Sequence, residues 1–396
     1  MKFASRVTKL EPSITLAVTA RANAMKAKGE DVVAFGAGEP DFDTPAHIQE
    51  AAIKAMRDGL TRYTPALGLP ALRAAVAEKY SAFYHYPTTP KNVAISCGGK
   101  HSLYNVFHAL VERGDEVLIP APYWVSYPEM VKLAGGVPVI VETDEDTGFR
   151  VTVDRLRAYT TDRTKILLIN SPSNPTGAAY HRKELEAIAE FVLENDLVLI
   201  SDEIYEHLVF DDFEFVCFPT LAEELRERTV VVSGASKTYA MTGWRIGWTV
   251  APEGLIEMMG RLQDQSTSNA TSFAQAGAIA ALKGPQDCVK TMCAAFAERR
   301  AYMMRRLAEL PNVACCVPQG AFYVFPKVSA CYGRQAGGRA VDGSVALSEY
   351  LLEKVKVAVV PGIGFGADAN IRLSYATSMQ QIEKGLDRIA EALGAL

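Results

Sequence analysis

No stretch of this 396-residue chain approaches the 18 or so consecutive apolar residues of a membrane-spanning helix. Met1–Arg6 is not followed by the apolar run of a secretory leader, so the chain is expected to be soluble, neither secreted nor membrane-bound. Excess positive charge is also missing. The formal net charge is −5, which gives no basis for nucleic acid or an anionic membrane as partner. The seven cysteines (Cys97, Cys217, Cys288, Cys293, Cys315, Cys316 and Cys331) are odd in number, irregular in spacing, and contain no Cys-x-x-Cys. A disulfide framework and a zinc site are therefore not expected; free thiols in a reducing, cytoplasmic setting are. No metal is called for. Neither a Walker A loop nor a Rossmann fingerprint is present, so no nucleotide is implied. There is no internal repeat and no low-complexity tract.

What is present is apolar and long. With 49% hydrophobic residues the chain can bury a large core, and its length suggests two domains. Three apolar runs stop abruptly in polar, reactive side chains. Lys165–Asn170 leads into Ser171-Pro-Ser-Asn174-Pro-Thr-Gly177, Leu197–Ile200 into Ser201-Asp202-Glu-Ile-Tyr205, and Thr229–Val232 into small residues ending at Ser236-Lys237. Such runs alternate with helical segments, notably Lys183–Asn195, which argues a mostly parallel α/β sheet with helices on both faces. Ligands of such sheets bind beyond the carboxyl ends of the strands, so Asn174, Asp202, Tyr205 and Lys237 are expected to line one crevice. A lysine held among small groups has its amine pKa lowered and becomes a nucleophile able to form an imine. Arg245, eight residues on, suits a planar phosphate. Cys97-Gly98-Gly99-Lys100 follows the strand Val93–Ser96 and opens a helix, an anion site by its free N–H groups and dipole.

Other positions have two readings from the residues alone. Gly38 permits either a tight turn or close approach of backbone to a ligand. Trp124 is a packing group or a ring to stack on, Tyr63 a packing group on a loop or a ligand contact. Cys97 is a nucleophile or a small buried filler. Arg372 sits in an apolar strand, where a charge needs a partner: a structural acid or a bound carboxylate. Locally, a helix is expected over Thr15–Lys28. Thr44 is expected as N-cap of a helix with Pro45 in its first turn and Gly59 closing it. A further helix is expected over Pro70–His85, a long one over 286–310, one strand over Lys356–Val360, and an exposed loop over Tyr332–Gly343.

The ordered set of motifs resembles the fold-type I, class I aminotransferases, and within them the bacterial aspartate aminotransferase subgroup. The matching pieces are Gly36-Ala-Gly-Glu-Pro-Asp-Phe42, Tyr63-Thr-Pro, Cys97-Gly-Gly-Lys100, Pro122-Tyr-Trp-Val-Ser-Tyr-Pro128, Asn174-Pro-Thr-Gly177, Ser201-Asp-Glu-Ile-Tyr205, Ser236-Lys237, Met241-Thr-Gly-Trp-Arg245 and Arg372-Leu-Ser-Tyr375. The resemblance implies a mostly parallel sheet in a large domain, 44–285, that binds pyridoxal 5'-phosphate. A smaller α/β domain, 286–396, is completed by the N-terminal arm, 1–43. It implies that Lys237 carries the cofactor, Asp202 bonds the ring nitrogen, Asn174 and Tyr205 the ring oxygen, and Trp124 the ring face. Ser236, Arg245, the Gly98–Lys100 turn and Tyr63 of a second subunit would hold the phosphate, making a homodimer with shared sites. Arg372, Asn174 and Gly38 would take the substrate α-carboxylate. Ser13, Thr15 and Lys100 would take its distal group, since Gln263–Gln275 offers no arginine for it. Aspartate with 2-oxoglutarate is the expected pair. Relatives that also use prephenate carry a lysine before the arm's proline, where this chain has Glu11 before Pro12. Aromatic, prephenate or alanine substrates are the near alternative, and elimination chemistry on the same fold a distant one. A non-enzymatic regulator would need a DNA-binding module, which residues 1–30 cannot supply.

Overall fold

The computed structural model describes residues 1–336 and 339–396. Its centre is a seven-stranded sheet. In spatial order the strands are Val93–Ser96, Gly247–Val250, Thr229–Gly234, Val198–Asp202, Thr164–Asn170, Glu116–Pro120 and Val137–Val141. Gly247–Val250 runs antiparallel to both neighbours and the remaining pairings are parallel. The β-branched and leucine runs suit strands buried on both faces. On one face the helices Gly99–Leu110 and Glu253–Asp264 close over Ile166, Leu168, Ile200 and Val232. On the other, Arg182–Glu194 and Val153–Tyr159 cover Leu167, Leu199 and Leu118. Leu167 and Leu199 are wholly buried, so truncating either to Ala would cost about 2–5 kcal/mol. A third cluster packs Pro70–Phe83 and Ser272–Lys283 around Trp248. No described helix is long and apolar enough to cross a membrane.

A separate core gathers the 22-residue helix Asp287–Ala308, the helices Ser344–Val355 and Met379–Gly394, and a three-stranded antiparallel sheet. That sheet is Val360–Pro361, Ile371–Ser374 and Tyr323–Val324. The N-terminal segment joins this core: Val33–Ala34 pairs in parallel with Val357–Ala358. The expected single strand over Lys356–Val360 is thus two. Residues 357–358 pair with the N-terminal segment and 360–361 with Ile371 and Arg372, so the chain changes partner at Val359. A second expectation also changes. Within Tyr332–Gly343, residues 335–336 and 339–340 form a short antiparallel pair rather than unpaired loop, while 337–338 lie outside the described residues. Thr44 is not a helix cap. The helix Ala46–Arg57 starts after Pro45, and the Thr44 hydroxyl instead donates to the Ala240 carbonyl at 2.6 Å and accepts from Trp244 Nε1 at 3.0 Å. A tertiary hydrogen bond to a buried carbonyl outcompetes the local one to a solvated N–H.

The topology positions the site. Parallel register sets Asn170 opposite Asp202, and antiparallel register sets Gly234 opposite Gly247. The carboxyl ends of three adjacent strands therefore finish along one edge, where the second core meets the sheet.

Candidate active site

A crevice of about 420 Å³ opens at that edge. Asn174, Asp202, Tyr205 and Lys237 all line it, as do Ser236 and Arg245. Gly99, Lys100 and Trp124 form one wall, Gly38 and Arg372 another, and Ser13 and Thr15 the rim from the N-terminal arm. Two expected residues stand apart. Gly98 caps the helix behind Gly99, and Tyr63 lies on a loop, 92% exposed and outside this chain's own crevice. Cys97, with its two readings of nucleophile or small buried filler, is half-buried and does not line the crevice.

Asp202 is the floor, 5% exposed at the end of its strand. Its carboxylate accepts the Tyr127 hydroxyl at 2.7 Å and the Ile204 N–H at 3.2 Å. Burial pushes its carboxyl up to about 6, against the pull of those hydrogen bonds and of Lys237. Asn170 staples the neighbouring strand end. Its Nδ2 donates to the Asp202 carbonyl at 3.0 Å and its Oδ1 accepts the Asn174 N–H at 2.9 Å. The Tyr205 hydroxyl, in a residue 2% exposed, shares a 2.9 Å hydrogen bond with Tyr323.

Lys237 follows Gly234 on a one-turn helix, and its amine donates to the Gly38 carbonyl. Burial pulls the amine down to about 8, with Arg372 and Arg245 adding to the effect and Glu39 and Asp202 opposing it. The neutral amine, the form that attacks a carbonyl, is then available near neutral pH. In cofactor-free protein, Lys237 should acylate along a pH curve with its midpoint near 8, against an ordinary lysine value of about 10.4. Peptide mapping of timed samples reads that curve, and a midpoint above 10 would contradict it.

At one end of the crevice stands an anion setting. The helix Gly99–Leu110 presents its N-terminus there, beside Ser236 and the Arg245 guanidinium. Arg245 adopts φ +56, an uncommon left-handed conformation for a non-glycine residue, and is held by Nη1 on the Thr242 carbonyl and Nη2 on the Cys97 carbonyl. Glycine is required around it. A Cβ on Gly98 would meet Arg245 Nη2 at 2.6 Å, and one on Gly247 would meet the Gly99 nitrogen at 2.3 Å. The Lys100 amine sits 4.8 Å from the centre of the Trp124 ring, inside cation–π range.

Arg372 is 2% exposed. Nη1 donates to Asn174 Oδ1 at 2.8 Å and Nη2 to the Gly36 carbonyl at 2.9 Å, while Nε has no partner. Among the described residues no carboxylate pairs with it; the faces of Tyr323 and Phe365 lie 4.5 and 5.1 Å away. This is a buried cation ready for an anionic ligand, since an unpaired buried charge is costly. Of the two readings of Arg372, a structural acid is not found among the described residues.

Sequence reasoning missed four contributors. Tyr127 lies within the quoted Pro122–Pro128 motif, and a tyrosine among apolar neighbours needs a hydrogen-bond partner, so a signal existed. Asn170 ends a strand and could have been found as a polar residue in an otherwise apolar run. Tyr323 is one aromatic among several in Gly320–Phe325, with nothing to distinguish it. Glu39 also lines the crevice and accepts the Thr242 hydroxyl at 2.7 Å.

Comparison with known proteins agrees with this geometry. A family model described as aminotransferase class I and II matches residues 30–389. The aspartate aminotransferase of Geobacillus stearothermophilus is 49% identical over 98% of both chains. A probable aspartate/prephenate aminotransferase of Aquifex aeolicus is 47% identical over 99% of this chain and 98% of its own. Among solved structures, the aspartate aminotransferase of Thermus thermophilus with maleate superposes with a TM-score of 0.94 at 42% identity, covering 99% of this chain and 100% of that one. The strand-end chemistry and the full-length matches lead to one family: the chain belongs to the class I and II aminotransferases.

Proposed function

We propose that the protein is a pyridoxal-phosphate-dependent transaminase whose preferred pair is L-aspartate and 2-oxoglutarate, and that it works as a cytoplasmic homodimer. The observation that carries the substrate reading is Arg372: buried, hydrogen-bonded to Asn174, without an acidic partner among the described residues, and facing the same crevice as Lys237 and Asp202. An α-carboxylate supplies the missing anion in bidentate form. Ser13, Thr15 and Lys100, also lining the crevice, suit a second carboxylate.

The crevice residues fit the cofactor. The Gly98–Lys100 helix start, Ser236 and Arg245 would hold the phosphate, Trp124 would cover the ring, and Asn174 and Tyr205 would take its ring oxygen. Bound there, pyridoxal phosphate would supply a carbonyl that captures amines and a protonated ring that draws electrons from the substrate α-carbon. Asp202 would hold the ring-nitrogen proton; its carboxyl is pushed up by burial in the free protein, and a positive charge facing it would favour the ionised form. The Lys237 amine takes the α-proton and returns it, acting as base and then acid, its pKa pulled down to about 8 chiefly by burial. Arg372 and Asn174 fix the substrate by its carboxylate, with Gly38 beside them, so that the α-hydrogen meets Lys237. Seven free thiols fit a reducing compartment. With this reading goes a division into an arm, 1–43, a cofactor domain, 44–285, and a small domain, 286–396. Distinct hydrophobic clusters on the two sides of the crevice support it.

The test is a panel of amino donors with 2-oxoglutarate on purified protein. Aspartate is expected to give the highest kcat/KM, and a donor that exceeds it tenfold would refute the assignment. Prephenate is the second reading, favoured by the name of the Aquifex aeolicus relative. Against it stand Glu11 and, next to it, Glu129, whose carboxylate accepts the Glu11 N–H at 3.3 Å. Two carboxylates beside the arm would repel the carboxylate on the prephenate ring. Prephenate turnover is therefore expected to be poor and to improve in Glu11→Lys. Replacing Lys100 by Met should cost aspartate about 1–3 kcal/mol in kcat/KM and an uncharged donor less. Prephenate matching aspartate in the unmodified protein would overturn the argument from Glu11.

Tyr63 carries the dimer reading. It is 92% exposed on its own chain and belongs to a motif that resemblance assigns to the phosphate of the partner subunit. Light scattering should show a dimer at assay concentration. Mixed dimers of an inactive Lys237→Ala chain and a weakened Tyr63→Phe chain should regain activity, because one of the two sites is then intact. An active monomer would contradict this.

A further inference from the structure

Behind the wall that carries Asp202 and Tyr205 lies a buried polar cluster, none of whose members lines the crevice. After the strand Val198–Asp202 the chain alternates. Asp202 and Tyr205 face the crevice, while Glu203 and Glu206 turn the opposite way and are 1% and 3% exposed. One Glu206 oxygen accepts the Lys79 amine at 2.6 Å and the Ser233 hydroxyl at 2.8 Å, and the other accepts the Tyr84 hydroxyl. Lys79 lies 5.4 Å from the Trp248 ring centre, with Tyr84 and Tyr80 at 5.8 and 5.9 Å. Three segments therefore meet on a single carboxylate: the helix Pro70–Phe83 with its continuation, the turn after Asp202, and the strand Thr229–Gly234 that leads into Lys237.

The ionic balance of the cluster is one to one. Burial raises the Glu206 carboxyl, but Lys79 and its other partners hold it below the ordinary value. Glu203 is pushed up to about 8 by burial first and by Glu206 second, and its Oε2 has no partner, as fits a neutral acid. His207 is pulled down to about 4 by burial and so stays neutral, while Tyr80, Tyr84 and Cys217 are raised. A buried ion pair of this kind holds a fold no better than apolar side chains of the same volume. What it adds is direction, because hydrogen bonds from two segments to a carboxylate on a third specify one arrangement of all three.

Building on the transaminase reading above, we propose that Glu206 is a positioning residue. With Lys79, Tyr84 and Ser233 it sets the spacing between the turn bearing Asp202 and Tyr205 and the strand end bearing Lys237, and so aligns the proton-holding carboxylate with the amine. Glu206→Gln, Ser233→Ala and the doubly neutral Lys79→Met/Glu206→Gln variant test it. Four quantities are read: the melting temperature of cofactor-free protein, the Kd for added pyridoxal phosphate, kcat and KM for aspartate, and the pH midpoint of the bound cofactor's absorbance change. Glu206→Gln is expected to lower kcat about 10- to 100-fold with KM little changed, to weaken cofactor binding, and to move the pH midpoint by about half a unit or more. The double variant should regain the melting temperature but not kcat or the midpoint. Should Glu206→Gln fail to fold, Ser233→Ala, which removes one hydrogen bond and no charge, is expected to show the same midpoint shift at smaller amplitude. Recovery of kcat together with stability in the double variant, or an unmoved midpoint in every folded variant, would overturn the positioning role. Unmodified protein that takes up no pyridoxal phosphate would instead overturn the reading on which it rests.

Discussion

Lys237→Ala is expected to fold normally and to lose transamination by roughly four orders of magnitude, the upper end for removal of a general acid–base group. Two losses combine in one side chain. The amine proposed to form the covalent link to a carbonyl is gone, and so is the group proposed to carry the α-proton. The crevice keeps its phosphate end in this variant, because Arg245 is held by the Thr242 and Cys97 carbonyls and not by Lys237. Cofactor should therefore still bind, without the yellow colour of the lysine-linked form. Stability should not suffer, since the substitution removes an amine whose charged form is disfavoured by burial first and by Arg372 and Arg245 beside it. Steady-state assays with aspartate, paired with a thermal melt, check both halves. Residual activity within tenfold of the unmodified enzyme would remove Lys237 from the chemistry.

Arg372→Met should trade affinity against stability. An arginine that is 2% exposed and has no acidic partner among the described residues is proposed to pair with substrate, so its loss should cost about 2–5 kcal/mol in kcat/KM for aspartate. That corresponds to a decrease of roughly 30- to 5,000-fold. In the absence of ligand the same change removes an uncompensated buried charge and fills the space with an apolar chain. The ligand-free melting temperature is thus expected to stay level or rise, and an added dicarboxylate, expected to raise the melting temperature of the unmodified protein, should no longer do so. The opposite pattern, a large loss of stability with an unchanged KM, would make Arg372 a structural residue.

Much of the site was legible in the chain, for a physical reason. Strands buried on both faces are written as uninterrupted apolar runs, so the first polar residues after them mark the sheet edge where a parallel fold binds its ligands. Asn174, Asp202, Tyr205 and Lys237 were found in this way and do meet in one crevice. Arg372 was visible because a charge inside an apolar strand is costly and needs an explanation. What stayed hidden depends on partners distant in sequence. Tyr323 reaches Tyr205 across 118 positions, and Tyr127 reaches Asp202 across 75. Nothing local in an aromatic residue says whether its hydroxyl faces a cofactor or the core. Thr44 followed a sound local rule and lost to a tertiary hydrogen bond. The strand at 357–361 divides because its neighbours change, which its own apolar sequence does not encode. Glu203 lay inside the Ser201–Tyr205 motif and Glu206 just after it, yet only the fold reveals that they point away from the crevice that Asp202 and Tyr205 line.

The most direct test is chemical. Purified enzyme supplied with pyridoxal phosphate is treated with borohydride, which fixes any lysine–cofactor link, then digested and mapped by mass spectrometry. A single reduced pyridoxyl group on Lys237, with loss of activity in proportion to labelling, is the predicted result. Label on another lysine, or full labelling with activity retained, would contradict the assignment of Lys237 and the crevice built around it.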